Sequence, residues 1–203
     1  MQESPGAPER LTLLSSLVLN NGVVIPRIGL GVFQSRAGRE TQSAVRWALE
    51  AGYRHVDTAH IYRNEADVGA ALRESRIPRA ELFVTTKLWN ADQGYDQTLR
   101  AFESSVNTLG LEYVDLYLMH WPVPERRRDS WRAMETLLAA GRCRAIGVSN
   151  FTDRHLDELF AQSHIVPAVN QIEIHPYLQR CELIVHCHKH GIAVEAYSPL
   201  TKA

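Results

Sequence analysis

Apolar residues in this chain fall into short runs of strand length that alternate with longer stretches of helical spacing. Leu17-Val18-Leu19, then Asn20-Asn21-Gly22, then Val23-Val24-Ile25 predicts a β-hairpin, because Asn-Gly supplies the positive-φ residues that a tight turn needs. A short strand is expected over 28–31, followed by a helix over 40–51 that Gly52 closes by taking a left-handed cap. The cycle then repeats. His55-Val56 leads into a helix over 65–75, and Leu82-Phe83-Val84 into one over 95–109 stopped by Gly110. The run 114–119 leads into a helix over 130–140 stopped by Gly141. The run 145–148 leads into a helix opened by Thr152 or Asp153, and the run 168–172 into one over 181–190 stopped by Gly191. Ile192-Ala193-Val194 begins a further strand.

Repeated strand–helix units with short buried strands imply a parallel sheet covered by helices. Counting from Ile28 gives seven strands and six helices, so the expected class is α/β, a (β/α)8 TIM barrel truncated after its seventh strand, with an N-terminal β-hairpin. One more helix, a strand and a closing helix would complete it. A doubly wound open sheet is disfavoured, because Gly29-Leu30-Gly31 lacks a third glycine and no helix follows at once. Residues 1–15 are expected to be a flexible leader and 16–203 the barrel.

Composition narrows the partners. The chain has 203 residues, is 45% hydrophobic and 22% charged, and carries a formal net charge of −1, which argues against nucleic acid or an acidic membrane surface. The basic run Arg126-Arg127-Arg128 is flanked by Glu125 and Asp129 and reads as a solvated loop. Cys143, Cys181 and Cys187 form no CxxC pair, so a reducing, cytoplasmic compartment is expected. No membrane span is expected. A cleaved signal is not expected either, because the start has no early lysine or arginine and Thr12, Ser15 and Ser16 interrupt its apolar piece.

The chemistry lies in the residues that end the apolar runs. The strands close with Val56-Asp57-Thr58, Thr85-Thr86-Lys87, Leu118-Met119-His120, Val148-Ser149-Asn150, Asn170-Gln171-Ile172-Glu173 and Ala196-Tyr197-Ser198. In a parallel barrel these carboxyl ends share one rim, where such proteins place their chemistry. Three successive strands ending in Asp, Lys and His are hard to explain as structural ion pairing alone.

The stretches GYRHVDTAHIYRNE (52–65), LFVTTKLWN (82–90), VDLYLMHWP (114–122), AIGVSNF (145–151), VNQIEIHP (169–176) and AYSPL (196–200) resemble aldo-keto reductase signatures, over nearly the whole chain. The likeness is to the branch that holds prostaglandin F synthases and 2,5-diketogluconate reductases. It implies a barrel that binds NADPH (NADP+) without a Rossmann domain and reduces carbonyls. It makes Tyr62 the proton donor, Lys87 and Asp57 its tuning pair, and His120 the group that orients the substrate carbonyl. A tyrosine near pKa 10 is a poor acid at neutral pH, and a nearby ammonium would lower that value. Ser149, Asn150 and Gln171 are implied to bind the nicotinamide carboxamide, Tyr197 to stack on its ring, and Ser198 and Leu200 to lie at the pyrophosphate. Phe33, Trp89 and Trp121 match pocket aromatics, so a small-molecule carbonyl substrate, apolar or quinone-like, is the implied partner.

His186, His188 and His190, with Cys187, could suggest a metal site, and His186 and His190 share a helical face at i, i+4, but they lie well before the strand end that faces the rim; they read as solvated helix surface, and no metal is expected. The family's grip on the adenosine 2′-phosphate follows an eighth strand and has no counterpart here. A competing reading is therefore a truncated, non-catalytic fragment acting at most as a binding or assembly partner. A monomer is expected if the barrel is completed, and self-association if its edges stay open.

Overall fold

The computed structural model describes residues 11–201; residues 1–10 of the expected leader lie outside the described residues. The hairpin forms as expected, with β1 (Ser16–Val18) antiparallel to β2 (Val24–Pro26) and Leu17 opposite Ile25. Gly22, at φ +84°, takes the left-handed turn position that a side chain would strain.

Seven parallel strands follow in spatial order of sequence: β3 (Gly29–Gly31), β4 (His55–Asp57), β5 (Phe83–Leu88), β6 (Val114–Met119), β7 (Cys143–Ser149), β8 (Val169–Glu173) and β9 (Ala193–Tyr197). Six helices separate them: α1 (Arg39–Glu50), α2 (Glu65–Glu74), α3 (Tyr95–Leu109), α4 (Arg127–Ala139), α5 (Asp153–Phe160) and α6 (Cys181–Lys189). No eighth parallel strand is found among the described residues. The expectation of a loop at 126–128 fails, because α4 begins at Arg127, three residues earlier than its apolar period suggested. The Arg127 guanidinium pairs with Glu158 on α5, and Asp129 in the first turn offsets the basic charge at a helix N-terminus.

The sheet is curled. Gln171 on β8 donates a 2.9 Å hydrogen bond to Asp57 on β4. In a flat sheet those strands, four places apart, would be about 19 Å from each other. The curl gives each strand an inner and an outer face, and period two assigns residues to them. Val56, Val84, Tyr117, Met119, Ile146 and Val148 pack outward against Val45, Val68, Phe102, Trp131, Met134 and Leu156 of the helices. Phe83, Leu116, Leu118, Ala145 and Val169 face inward and meet Leu19 and Ile25 of the hairpin. The hairpin thus plugs the interior at the amino ends of the strands, and burying each of those two side chains contributes roughly 1.5–3 kcal/mol. The lining is tight: a Cβ on Gly147 would lie 2.6 Å from the Val169 carbonyl oxygen. The carboxyl ends of the strands are left for polar residues.

Candidate active site

Inward-facing positions near the carboxyl ends of the strands carry Asp57, Lys87, Ser149, Gln171 and Tyr197, with His120 one residue past β6. Tyr62 reaches them from the short 3-10 turn His60–Tyr62 after β4, and Arg63 at φ +58° then reverses the chain into α2. That turn is pinned at both sides. Thr58 donates from its hydroxyl to Asn64 (2.9 Å), whose amide donates to the Val32 carbonyl (2.9 Å). The buried Glu65 carboxylate accepts from the Thr86 and Ser105 hydroxyls (2.7 and 3.3 Å) and lies 3.5 Å from His60 Nδ1.

Lys87 is fully buried and commits its ammonium to three acceptors: the Asp57 carboxylate, the Thr58 carbonyl at 3.0 Å and the Tyr62 hydroxyl at 3.4 Å. The His120 ring stands edge-on to Tyr62 with centroids 5.7 Å apart, and Trp89 lies 5.3 Å from it on another side. The four residues expected to act together are therefore together.

Their electrostatics refine one expectation. Tyr62 sits above its ordinary pKa of 10, because burial outweighs the downward pull of Lys87, and Asp57 adds to the rise. It is therefore a protonated phenol at neutral pH, with a cation beside it to receive the tyrosinate. Burial pulls Lys87 down, but Asp57 and Tyr62 together overcome it and hold the ammonium charged. Burial, helped by Lys87, lowers His120 to about 4, so its imidazole is neutral.

The amide groups form a second tier. Gln171 gives one amide hydrogen to Asp57 and another to Glu195 on β9 (2.8 Å). Its carbonyl oxygen is thereby turned away from both carboxylates, free to accept. The Ser149 hydroxyl donates to the main-chain carbonyl of Gln171 (2.8 Å), and the Asn150 amide donates to the main-chain carbonyl of His120 and to Ser149 Oγ (both 3.1 Å). Asn150 adopts φ +62° and accepts 2.9 Å from the Tyr197 hydroxyl, which fixes that ring at the mouth. An acceptor, a hydroxyl, an amide and an anchored aromatic face suit a nicotinamide carboxamide and its ring. Ser198, at φ +49°, accepts from the Thr201 amide, and Leu200 is 89% exposed on this turn. Phe33 is exposed and packs 5.0 Å from Tyr62, while Trp121 is half exposed with its carbonyl held by Gln93 at 2.6 Å. Phe33 and Trp89 thus border the phenol and the imidazole by direct ring contact, while Trp121 follows His120 in the chain.

Sequence reasoning missed Glu195. Its Oε2 is enclosed without a hydrogen bond, and burial raises its pKa. The signal was present: Glu195 is two residues before Tyr197, hence on the same inner face. Glu65 and Thr58, which hold Tyr62 and Lys87 in place, were likewise legible only as motif filler.

A parallel α/β barrel with a buried acid–base centre at the carboxyl ends of its strands defines a class of enzyme-like folds. Within that class the chain belongs to the aldo/keto reductase family, whose sequence model matches residues 27–203. It is 55% identical over 184 residues to the 9,11-endoperoxide prostaglandin H2 reductase of Trypanosoma cruzi, an alignment covering 91% of this chain and 65% of that protein. The chain thus spans about two thirds of the length of that relative. The solved aldo/keto reductase of Brucella melitensis superposes with a TM-score of 0.90 at 50% identity, covering 93% of this chain and 74% of that one. An aldo-keto reductase of Bombyx mori, solved in complex with NADP, superposes at 0.86 with 39% identity, covering 93% of this chain and 67% of that one. Among the described residues no helix is long and apolar enough to cross a membrane.

Proposed function

We propose that the chain reduces aldehyde or ketone carbonyls to alcohols with NADPH, Tyr62 being the proton donor. The observation that carries this reading is the contact of a protonated Tyr62 hydroxyl with a buried Lys87 that is itself bound to Asp57. NADPH, when bound, supplies the hydride that goes to the carbonyl carbon. Neutral His120 donates one N–H to the carbonyl oxygen as negative charge builds there. Tyr62 gives that oxygen its proton, and Lys87 stabilises the tyrosinate left behind. Asp57 keeps Lys87 charged and aimed. Ser149, Asn150 and Gln171 would hold the carboxamide, Tyr197 would offer its aromatic face to the nicotinamide, and Ser198 and Leu200 would serve the pyrophosphate. The Bombyx mori complex with NADP supports the cofactor choice. Phe33, Trp89 and Trp121 favour apolar or aromatic carbonyls. Three free cysteines suit a reducing cytoplasm.

The test is Tyr62→Phe. NADPH fluorescence should be quenched as in the wild type, while reduction of an aromatic aldehyde is lost; turnover at the wild-type rate would refute the assignment. A second reading, a non-catalytic fragment, rests on β3 and β9, each of which has one strand neighbour among the described residues and so an unpaired edge. Absence of quenching at high NADPH, together with self-association, would favour it.

A further inference from the structure

On the outer helical layer, away from the acid–base centre, α5 and α6 bring Asp157, His186 and His190 together, with one ligand atom of each within 4.8 Å of the others. We propose that these three residues form a site for a divalent transition metal, zinc by preference, that clips α5 to α6.

His186 and His190 are one helical turn apart on α6 and its C-terminal cap, the spacing that lets two imidazoles grip one ion. Their rings lie 4.9 Å apart. Asp157 comes from the neighbouring helix, so the ligand set is tertiary. His186 Nε2 lies 3.1 Å from an Asp157 carboxylate oxygen, yet it is enclosed and makes no hydrogen bond. A buried ring nitrogen facing a carboxylate without a hydrogen bond is poorly satisfied as it stands. An ion between them would satisfy both. Phe160 walls the site, 4.6 Å from the His190 ring and stacked at 6.5 Å on His186, and so limits the rotamers of both imidazoles. Zinc binds nitrogen and carboxylate oxygen at about 2.0–2.2 Å, so tetrahedral ligand atoms lie about 3.3 Å apart. The ligand atoms, within 4.8 Å of one another as they stand, must draw in to reach that spacing, and Asp157 lies exposed on its helix.

Two imidazoles and a carboxylate suit zinc, copper or nickel over calcium or magnesium, and water takes the fourth position. α5 follows the strand that carries Ser149, and α6 precedes the strand that carries Glu195 and Tyr197. The ion would therefore tie together the helices that back one side of the polar rim, a structural role that needs no turnover.

The experiment uses tag-free protein titrated with cobalt(II) chloride, then with zinc chloride. The expected result is visible absorption typical of tetrahedral or five-coordinate cobalt, removed by zinc, with a zinc-dependent rise in melting temperature. Asp157→Asn, at an exposed position, should weaken cobalt binding by roughly tenfold or more. His190→Asn should do the same, and His188→Asn, at an exposed position of the same helix, should leave it unchanged. Absence of cobalt absorption in folded protein would overturn the proposal, as would equal absorption in Asp157→Asn or its loss in His188→Asn. None of these readouts depends on carbonyl reduction.

Discussion

Replacing Lys87 by methionine isolates the energetics of the buried centre. The lysine side chain has no exposed surface, and Asp57 retains 12% exposure. Removing one partner of a buried ion pair costs about 3–5 kcal/mol, because the other charge is left uncompensated. Here Asp57 keeps the Gln171 hydrogen bond and some contact with solvent, which places the loss near the lower end, about 3 kcal/mol. For a domain of this size that corresponds to a fall in melting temperature of roughly 6–12 °C. The double variant Lys87→Met with Asp57→Asn removes both charges and leaves an amide that still accepts from Gln171. It should recover most of the loss, to within about 1 kcal/mol of the wild type. Thermal and urea melts followed by circular dichroism measure all three proteins, and both variants should lack carbonyl reduction. The reasoning fails if the single variant melts with the wild type, or if the double variant is the less stable of the two.

Two further outcomes concern protons. His120 titrates at about 4 in the folded chain, chiefly through burial, against 6.5 unfolded. Above pH 6.5 both states are neutral; between 6.5 and 4 the unfolded state takes up the proton first, so stability falls by at most about 1.4 kcal/mol per pH unit and levels off below 4. Urea melts at pH 7 and pH 5 should show a smaller acid loss in His120→Gln, and an identical loss would count against the assignment. Glu195 raises the pKa of both Tyr62 and Lys87. Glu195→Gln should therefore move the basic limb of the kcat/KM profile for reduction to lower pH, and an unmoved or upward-shifted limb would contradict it.

Much of the architecture could be read from local pattern. Strand-length apolar runs, helical spacing and the stops at Gly110, Gly141 and Gly191 gave seven strands and six helices with boundaries close to those observed. α4 starts before its apolar period does, because its first turn is held by the Arg127–Glu158 pair and carries no apolar residue. Asp57, Lys87 and His120 stood out because each ends an apolar run, and Tyr62 because of the motif that contains it.

What the sequence determined by itself is which face each side chain takes, since period two in a strand and 3.6 in a helix are properties of the local backbone. It therefore determined that a carboxylate, an ammonium and an imidazole share one rim. The tertiary structure decided which of those groups touch. Curling of the sheet brings Gln171 to Asp57 across 114 residues, makes Glu195 a neighbour of the centre, and lets burial outweigh Lys87 in setting the proton affinity of Tyr62. It also adds Asp157 to a pair of histidines that, along the helix alone, are only surface. Contacts between distant elements and the loss of solvent around a group depend on how the layers close, and no local periodicity encodes that.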